Sequence, residues 1–443
     1  MLDTPPKNVT INKIYYKKTA DPVSDKWDVP ISTTAKNCRN YIREIVDNLN
    51  LEPNPNKKVI ALSIGDPTVY GNLVPAKETT DALIETVLNG KHNGYGGSCG
   101  LDCSRNAVAE YLSYDGVEVQ AEDVILCSGC SSSLDLCITV LADGTRGQNI
   151  LVPKPGFPIY RTLAESMGVE VRHYDLLPEE NWELDLDDVE SKIDSKTAAI
   201  VINNPSNPCG SVYSEEHLRN VLRLAERNKI PIIADEIYER LVFPGNKFVS
   251  VASLGAKVPL LICGGLAKRF LVPGWRLGWI VVHDPVGAFA AVRKGLVCLS
   301  QRIIGSNTLV QGAMTKILLE TPQSFHDELM NTLIETANIA YEEIGKIRGL
   351  KPFMPQGAMY MMVQIKSECF PQFNDGLEFV SKLMEEESTF CLPGEAFGLG
   401  GYMRIIITVP KELMVEACER LANFCNKYYK PKPCQLLPPV SIE

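Results

Sequence analysis

LICGGLAKRFLVPGWRLGW, residues 261–279, sets one lysine, Lys268, in a mostly apolar, glycine-rich run, with an arginine, Arg276, eight residues later. Burial disfavours the charged form of a lysine, so a lysine in such a setting is costly unless it does chemistry. An amine of lowered pKa forms a Schiff base with an aldehyde, and a nearby guanidinium holds a phosphate through paired donors. Aldehyde and phosphate together describe pyridoxal phosphate (PLP). Taken by itself, the window fits equally well a lysine whose stem lines a core strand while its amine reaches water. The flanking sequence has to decide.

Outward from this window, helical and apolar stretches alternate. Helical spacing covers 77–89, 101–112, 131–141 and 214–227. Between them lie short apolar runs: VILC (124–127), NILV (149–152), AAIVI (198–202), PIIAD (231–235), PLLIC (259–263) and GWIVV (278–282). Continuous rather than alternating apolarity marks strands buried on both faces, as in a largely parallel α/β sheet. Ligands on such sheets sit at the carboxyl ends of the strands. After about residue 300 the pattern turns helical, through 308–320 and 324–347. A strand–helix–strand–helix sequence follows, ending in an amphipathic helix over 411–428. The predicted architecture is α/β: a large domain with a mostly parallel mixed sheet flanked by helices, plus a smaller α+β domain. The expected boundaries are an N-terminal arm (1–35), an N-terminal part of the small domain (36–75), the large domain (76–320), the small C-terminal domain (321–430) and a loose tail (431–443). A helix over 36–50, spaced by Ile42, Ile45, Val46 and Leu49, is expected to pack on the small domain.

Composition narrows the function. The chain has 443 residues, 45% hydrophobic and 22% charged, as soluble globular proteins do. A net charge of −10 without basic runs excludes a typical nucleic-acid binder. No apolar stretch reaches the ~18 residues of a membrane span, and the N-terminus lacks the apolar core of a secretory signal. The cytosol is the expected compartment, with the mitochondrion as the alternative. Fourteen cysteines do not form a metal set: Cys99 and Cys103 lack a second pair with histidine. CSGC (127–130) reads either as a redox pair or as a turn after a strand.

Several segments that follow strands carry candidate chemistry. Asp235 ends PIIAD, where a carboxylate needs a partner; against PLP that partner is the protonated pyridine nitrogen. In NNPSNPCG (203–210), two Asn-Pro steps fix a non-helical loop, from which Asn207 can donate to the cofactor's phenolic oxygen. Tyr238 can donate to the same oxygen. SGCSSSLDL (128–136) opens a helix, so Gly129, Cys130 and Ser131 are phosphate candidates. Phe157, in PKPGFPIY, can stack on the ring or pack in the core. Arg404, in YMRIIITV, suits an α-carboxylate. Gly65, in SIGDPTVYGN, allows backbone to approach the substrate closely.

The order of these sites, and the strings SIGDPTVYGN, LVPKPGFPIYRTLAESMG, VINNPSNPCGSVYS, ADEIY, GGLAKRFLVPGWRLGW and SQRIIG, resemble the class I, fold-type I PLP-dependent aminotransferases. The resemblance runs from about residue 30 to 428 and is strongest to members that act on tyrosine. It implies that Lys268 is the Schiff-base lysine and proton shuttle, and that Asp235 binds the pyridine nitrogen. Asn207 and Tyr238 would bind the phenolic oxygen, Arg276 and the 129–131 loop the phosphate, and Phe157 would stack on the ring. Arg404, with Gly65 and Asn207, would bind substrate. Tyr95, in NGYGGSCG, matches a tyrosine that reaches a neighbour's phosphate, implying a homodimer with shared active sites. The implied reaction is transamination of an aromatic L-amino acid, tyrosine or phenylalanine, with a 2-oxo acid such as 2-oxoglutarate, in aromatic amino-acid catabolism. Alternatives are an aminotransferase of other specificity (alanine, kynurenine, nicotianamine) or a catalytically silent homologue. Gly265 departs from relatives with a hydroxyl residue three positions before the lysine. Arg302, in LSQRIIG, can meet a distal carboxylate or serve the surface.

Overall fold

A computed structural model describes residue 27 and residues 29–49, 52–113, 116, 118–255 and 257–431. The expected tail beyond 431, and the expected arm apart from residues 27 and 29–35, lie outside them. After a short strand, β1 (Ile60–Ala61), an eight-stranded sheet takes in β2 (Val124–Cys127), β3 (Asn149–Lys154), β4 (Glu170–Leu177) and β5 (Glu183–Leu184). It also holds β6 (Thr197–Asn203), β7 (Ile232–Asp235), β8 (Leu260–Gly265) and β9 (Gly278–His283). The order across it is β2-β9-β8-β7-β6-β3-β4-β5. From β4 through β3, β6 and β7 to β8 the neighbours are parallel. β9 runs antiparallel to both β8 and β2, and β5 to β4.

The apolar runs are continuous because both faces of this sheet are covered. Side chains alternate between two cores. Ile125, Val201, Ile233, Leu261 and Ile280 pack with the helix Cys130–Leu141 on one face. Leu126, Ile200, Ile232, Leu260 and Val281 pack on the other, with the helices Asp102–Leu112, Glu215–Asn228 and Thr308–Glu320. β4 escapes the sequence reading for the converse reason. Its EVRHYDLL is only partly buried and half polar, so it offers no apolar run.

The C-terminal third adds β10 (Leu350–Pro352), β11 (Tyr360–Ile365), β12 (Thr389–Phe390), β13 (Leu392–Pro393) and β14 (Tyr402–Ile406). β10-β11-β14-β13 form an antiparallel sheet, while β1 pairs in parallel with β12. The expected single helix over 36–50 is two helices, Thr33–Asn37 and Tyr41–Asn48. Asn40 separates them by capping the second, its Oδ1 accepting from Arg43 N at 3.0 Å. Ile42, Ile45 and Val46 pack against Leu392, Ala396 and Phe397. Tyr41 of the same helix donates to Glu165, on the helix Ile159–Ser166. This N-terminal helix therefore touches both parts of the molecule. No helix among the described residues is long and apolar enough to cross a membrane.

Candidate active site

β3, β6, β7 and β8 are parallel, so their carboxyl ends share one edge of the sheet. β2 joins them there, being antiparallel to the same β9 that opposes β8. β9 begins at that edge, with Gly278 paired to both Cys127 and Gly265, and this delivers Arg276 beside the loop after β2. The loops meet residues from after β1 and from β11 and β14 around a cavity of ≈640 Å³. Lys268, Asp235, Asn207, Tyr238, Arg276 and Arg404 all line it, as do Gly65, Cys130, Ser131 and Phe157.

Lys268 Nζ donates to the Gly65 carbonyl at 2.7 Å and lies 5.8 Å from the centre of the Tyr238 ring. Tyr238 shares a 2.7 Å hydrogen bond with Tyr360 through their hydroxyls. Burial drives the Tyr238 phenol well above its ordinary value. Burial pushes Tyr360 up as well, but the charges of Lys268 and Arg404 outweigh it, and its phenol lies below the usual range.

Asp235 is 3% exposed at the end of β7, and burial raises its pKa above that of an ordinary carboxylate. Three donors oppose that shift: Tyr160 Oη at 2.7 Å on one oxygen, Ile237 N at 3.2 Å and the Cys130 thiol at 3.7 Å on the other. A carboxylate so buried and so aimed needs a positive partner in the cavity.

Cys130, Ser131 and Arg276 line the cavity where a helix begins. Gly129, at φ 84, caps the helix Cys130–Leu141 without a side chain. The first amides of that helix have no intrahelical acceptor and point out with the positive end of its dipole. Arg276 reaches over them, donating to Pro273 O at 2.9 Å and Ser128 O at 3.2 Å. A Cβ on Gly129 would come within 2.6 Å of Arg276 Nη2, so only glycine admits the guanidinium here.

Arg404 is 3% exposed on β14. It donates to Asn207 Oδ1 at 3.0 Å and to the Ser63 carbonyl at 2.6 Å, while its buried Nε has no partner. Tyr360 and Phe397 present their rings at 4.4 and 4.9 Å. Burial pulls its pKa below the ordinary value. Among the described residues no carboxylate pairs with it, so a buried guanidinium awaits an anion. The Asn207 loop is held in turn by Asn203, whose Oδ1 accepts from Asn207 N at 2.7 Å and whose Nδ2 donates to Asp235 O at 3.0 Å.

A model of the "Aminotransferase class I and II" family matches residues 57–421 of this chain. The chain belongs to the class I and II aminotransferases. It is 51% identical to tyrosine aminotransferase of Mus musculus over 405 residues, 91% of this chain and 89% of that protein. The same name belongs to a Dictyostelium discoideum protein, 44% identical over 91% of this chain and 98% of its own length. Among solved structures, tyrosine aminotransferase from Leishmania infantum superposes with a TM-score of 0.88 at 35% identity, covering 91% of this chain and all of its own. Alanine aminotransferase from Pyrococcus furiosus gives 0.84 at 30% identity, covering 90% and 100%.

The cofactor of these aminotransferases is PLP, and the cavity fits it. The glycine cradle under Arg276 suits its phosphate, and the buried, donor-ringed carboxylate suits its pyridinium. Gly265 could not supply a hydroxyl in this setting: its Cβ would stand 2.8 Å from Leu277 O. Phe157 lines the cavity, edge-on to Tyr160 at 6.1 Å. Tyr95 does not line it and is 91% exposed; Arg302 is exposed and also outside the lining. CSGC is a turn between β2 and a helix, and both thiols are free. No metal-binding cluster occurs among the described residues.

Sequence reasoning missed Tyr160, Tyr360 and Arg43. Tyr160 had a signal, since it lies three residues after Phe157 on a helix that opens at the same edge. Arg43, with Ile42 and Val46, brings the N-terminal helix into the cavity wall.

Proposed function

We propose that this aminotransferase moves the amino group of aromatic L-amino acids, tyrosine foremost and phenylalanine with it, to a 2-oxo acid such as 2-oxoglutarate. Tyrosine would yield 4-hydroxyphenylpyruvate and the oxo acid glutamate. One observation carries this reading: the cavity that holds Lys268, Asp235 and Arg404 continues into an apolar wall of Ile42, Val46, Val59, Ile64, Phe390 and Leu392. Such a wall suits a large ring better than a methyl or a carboxylate. The names of the relatives above support the same substrate.

When bound, PLP supplies an aldehyde and an electron-poor ring that takes up the charge left by a broken Cα–H bond. Asp235 would keep the pyridine nitrogen protonated; hydrogen bonds from Tyr160, Ile237 N and Cys130 favour its ionised form against the burial that raises its pKa. Arg276 and the amides of Cys130 and Ser131 would hold the phosphate, and Phe157 would cover one ring face. Asn207 and Tyr238 would donate to the phenolic oxygen. Arg404 clamps the α-carboxylate through its two outer nitrogens or its free Nε, which sets substrate Cα towards Lys268. Lys268 Nζ would take the Cα proton. Gly65 O gives that amine a fixed resting place. Arg43, exposed at the rim and paired with Asp47 at 3.9 Å, would turn from that carboxylate to the second carboxylate of 2-oxoglutarate.

The reading includes a homodimer, supported by Tyr95 and by Ile84, Val87 and Leu88, which are 50%, 52% and 80% exposed on the helix Lys77–Asn89. It keeps the large and small domains divided near residues 76 and 320, with Arg404 on the small one. The free cysteines among the described residues favour a reducing compartment, the cytosol.

The test is a single-turnover panel in which PLP-loaded protein is mixed with tyrosine, phenylalanine, tryptophan, alanine, aspartate and methionine. Tyrosine is expected to react fastest. Faster turnover of alanine or aspartate would reject the substrate.

A further inference from the structure

Tyr360 opens β11, in the sheet that carries Arg404, yet its hydroxyl lies among groups from the other part of the molecule. It is 1% exposed. Its Oη is 2.7 Å from Tyr238 Oη, and the two rings meet edge-on at 5.6 Å. Lys268 Nζ donates to the Gly65 carbonyl at 2.7 Å, beside this phenol, and the charges of Lys268 and Arg404 draw the phenol below its ordinary range. A Cβ on Gly65, whose carbonyl holds Lys268, would stand 3.0 Å from this oxygen. The Arg404 guanidinium covers the ring face at 4.4 Å. One phenol thus touches the carboxylate clamp and Tyr238, and lies beside Gly65, whose carbonyl holds Lys268.

The geometry points to Tyr360 as a positioning residue for the reaction, whose hydroxyl steadies Lys268 Nζ and links it to Tyr238. This assignment rests on the aminotransferase reading above. A phenol has one proton to give and lone pairs to accept with. If Tyr360 accepts from Lys268, its own proton goes to Tyr238, and the Tyr238 proton is left for a partner in the cavity. Gly65 O and Tyr360 Oη then fix Lys268 at two points, so the amine is oriented rather than free to swing. The charged and titratable groups around the phenol are Lys268, Arg404 and Tyr238, with Asp235 beyond Tyr238. The two cations hold its pKa below the ordinary phenol range, which makes its O–H a stronger donor towards Tyr238.

Tyr360→Phe keeps the ring under Arg404 and removes one oxygen. We expect kcat for tyrosine to fall about tenfold, the equivalent of one buried hydrogen bond of about 1.4 kcal/mol, with KM little changed. In the PLP-loaded protein, the pH midpoint of the absorbance band near the visible edge should move down, because an acceptor for the protonated Nζ is gone. Trifluorotyrosine at position 360 keeps the shape but makes the phenol oxygen a poorer acceptor, so it should move the midpoint down as well. That second variant decides the matter should the phenylalanine protein fail to fold. A wild-type protein that forms no band with PLP overturns both this assignment and the functional reading. A normal wild-type band, with kcat and midpoint unmoved in both variants, overturns the role of Tyr360 alone.

Discussion

Arg404→Met separates binding from folding at one residue. The guanidinium is 3% exposed, makes two hydrogen bonds and has a third donor with no partner. An uncompensated buried charge costs several kcal/mol, while two charge-assisted hydrogen bonds return about 1.5–3 kcal/mol each. These terms nearly cancel, and methionine fills a similar volume between Tyr360 and Phe397. The melting temperature without ligand should therefore stay close to that of the wild type. Activity has no such cancellation. A bidentate α-carboxylate loses about 3–4 kcal/mol of binding in the transition state, so kcat/KM for tyrosine should fall about 10²–10³-fold. The assay compares tyrosine with tyramine, which lacks the carboxylate. Wild type should strongly prefer tyrosine in the half-reaction, and the variant should scarcely distinguish them. A variant that retains the preference for tyrosine would refute the assignment of Arg404.

Two further outcomes follow from the geometry. Gly129→Ala places a Cβ 2.6 Å from Arg276 Nη2 at φ 84. It should weaken PLP binding at least tenfold, the price of about 1.4 kcal/mol of strain and a displaced guanidinium, read by cofactor titration; unchanged affinity would remove the phosphate from this cradle. Glu236 is buried against Ser250 Oγ at 2.9 Å and Val251 N at 3.0 Å, and burial lifts its pKa from about 4.5 to about 8. An acid with a raised folded pKa binds its proton more tightly when folded. Its contribution is complete below about pH 4.5 and is lost as pH rises to about 8. Wild type should lose a few kcal/mol of stability across that window, and Glu236→Gln should lose less, as urea melts would show. Equal pH dependence in both would contradict it.

The strands that carry the site were legible because burial on both faces makes them uninterrupted apolar runs. The residues that end those strands, Asp235 and the Asn207 loop, were legible by position. So was Lys268, as the lysine of an apolar, glycine-rich run. What could not be read was meeting in space. Tyr360 and Arg404 come from a different sheet, and nothing in the spacing places a phenol between that arginine and Lys268. The antiparallel course of β9 was equally hidden. It is what turns Arg276 from a charge eight residues past the lysine into the roof of the loop after β2.

The central claim is that Lys268 Nζ anchors PLP covalently and is released by tyrosine. The most direct measurement is borohydride reduction of the PLP-loaded protein followed by peptide mass mapping. The account predicts a phosphopyridoxyl mass on the peptide containing Lys268, lost when tyrosine is added before borohydride. An unmodified Lys268, or a label at another lysine that tyrosine does not displace, would contradict it.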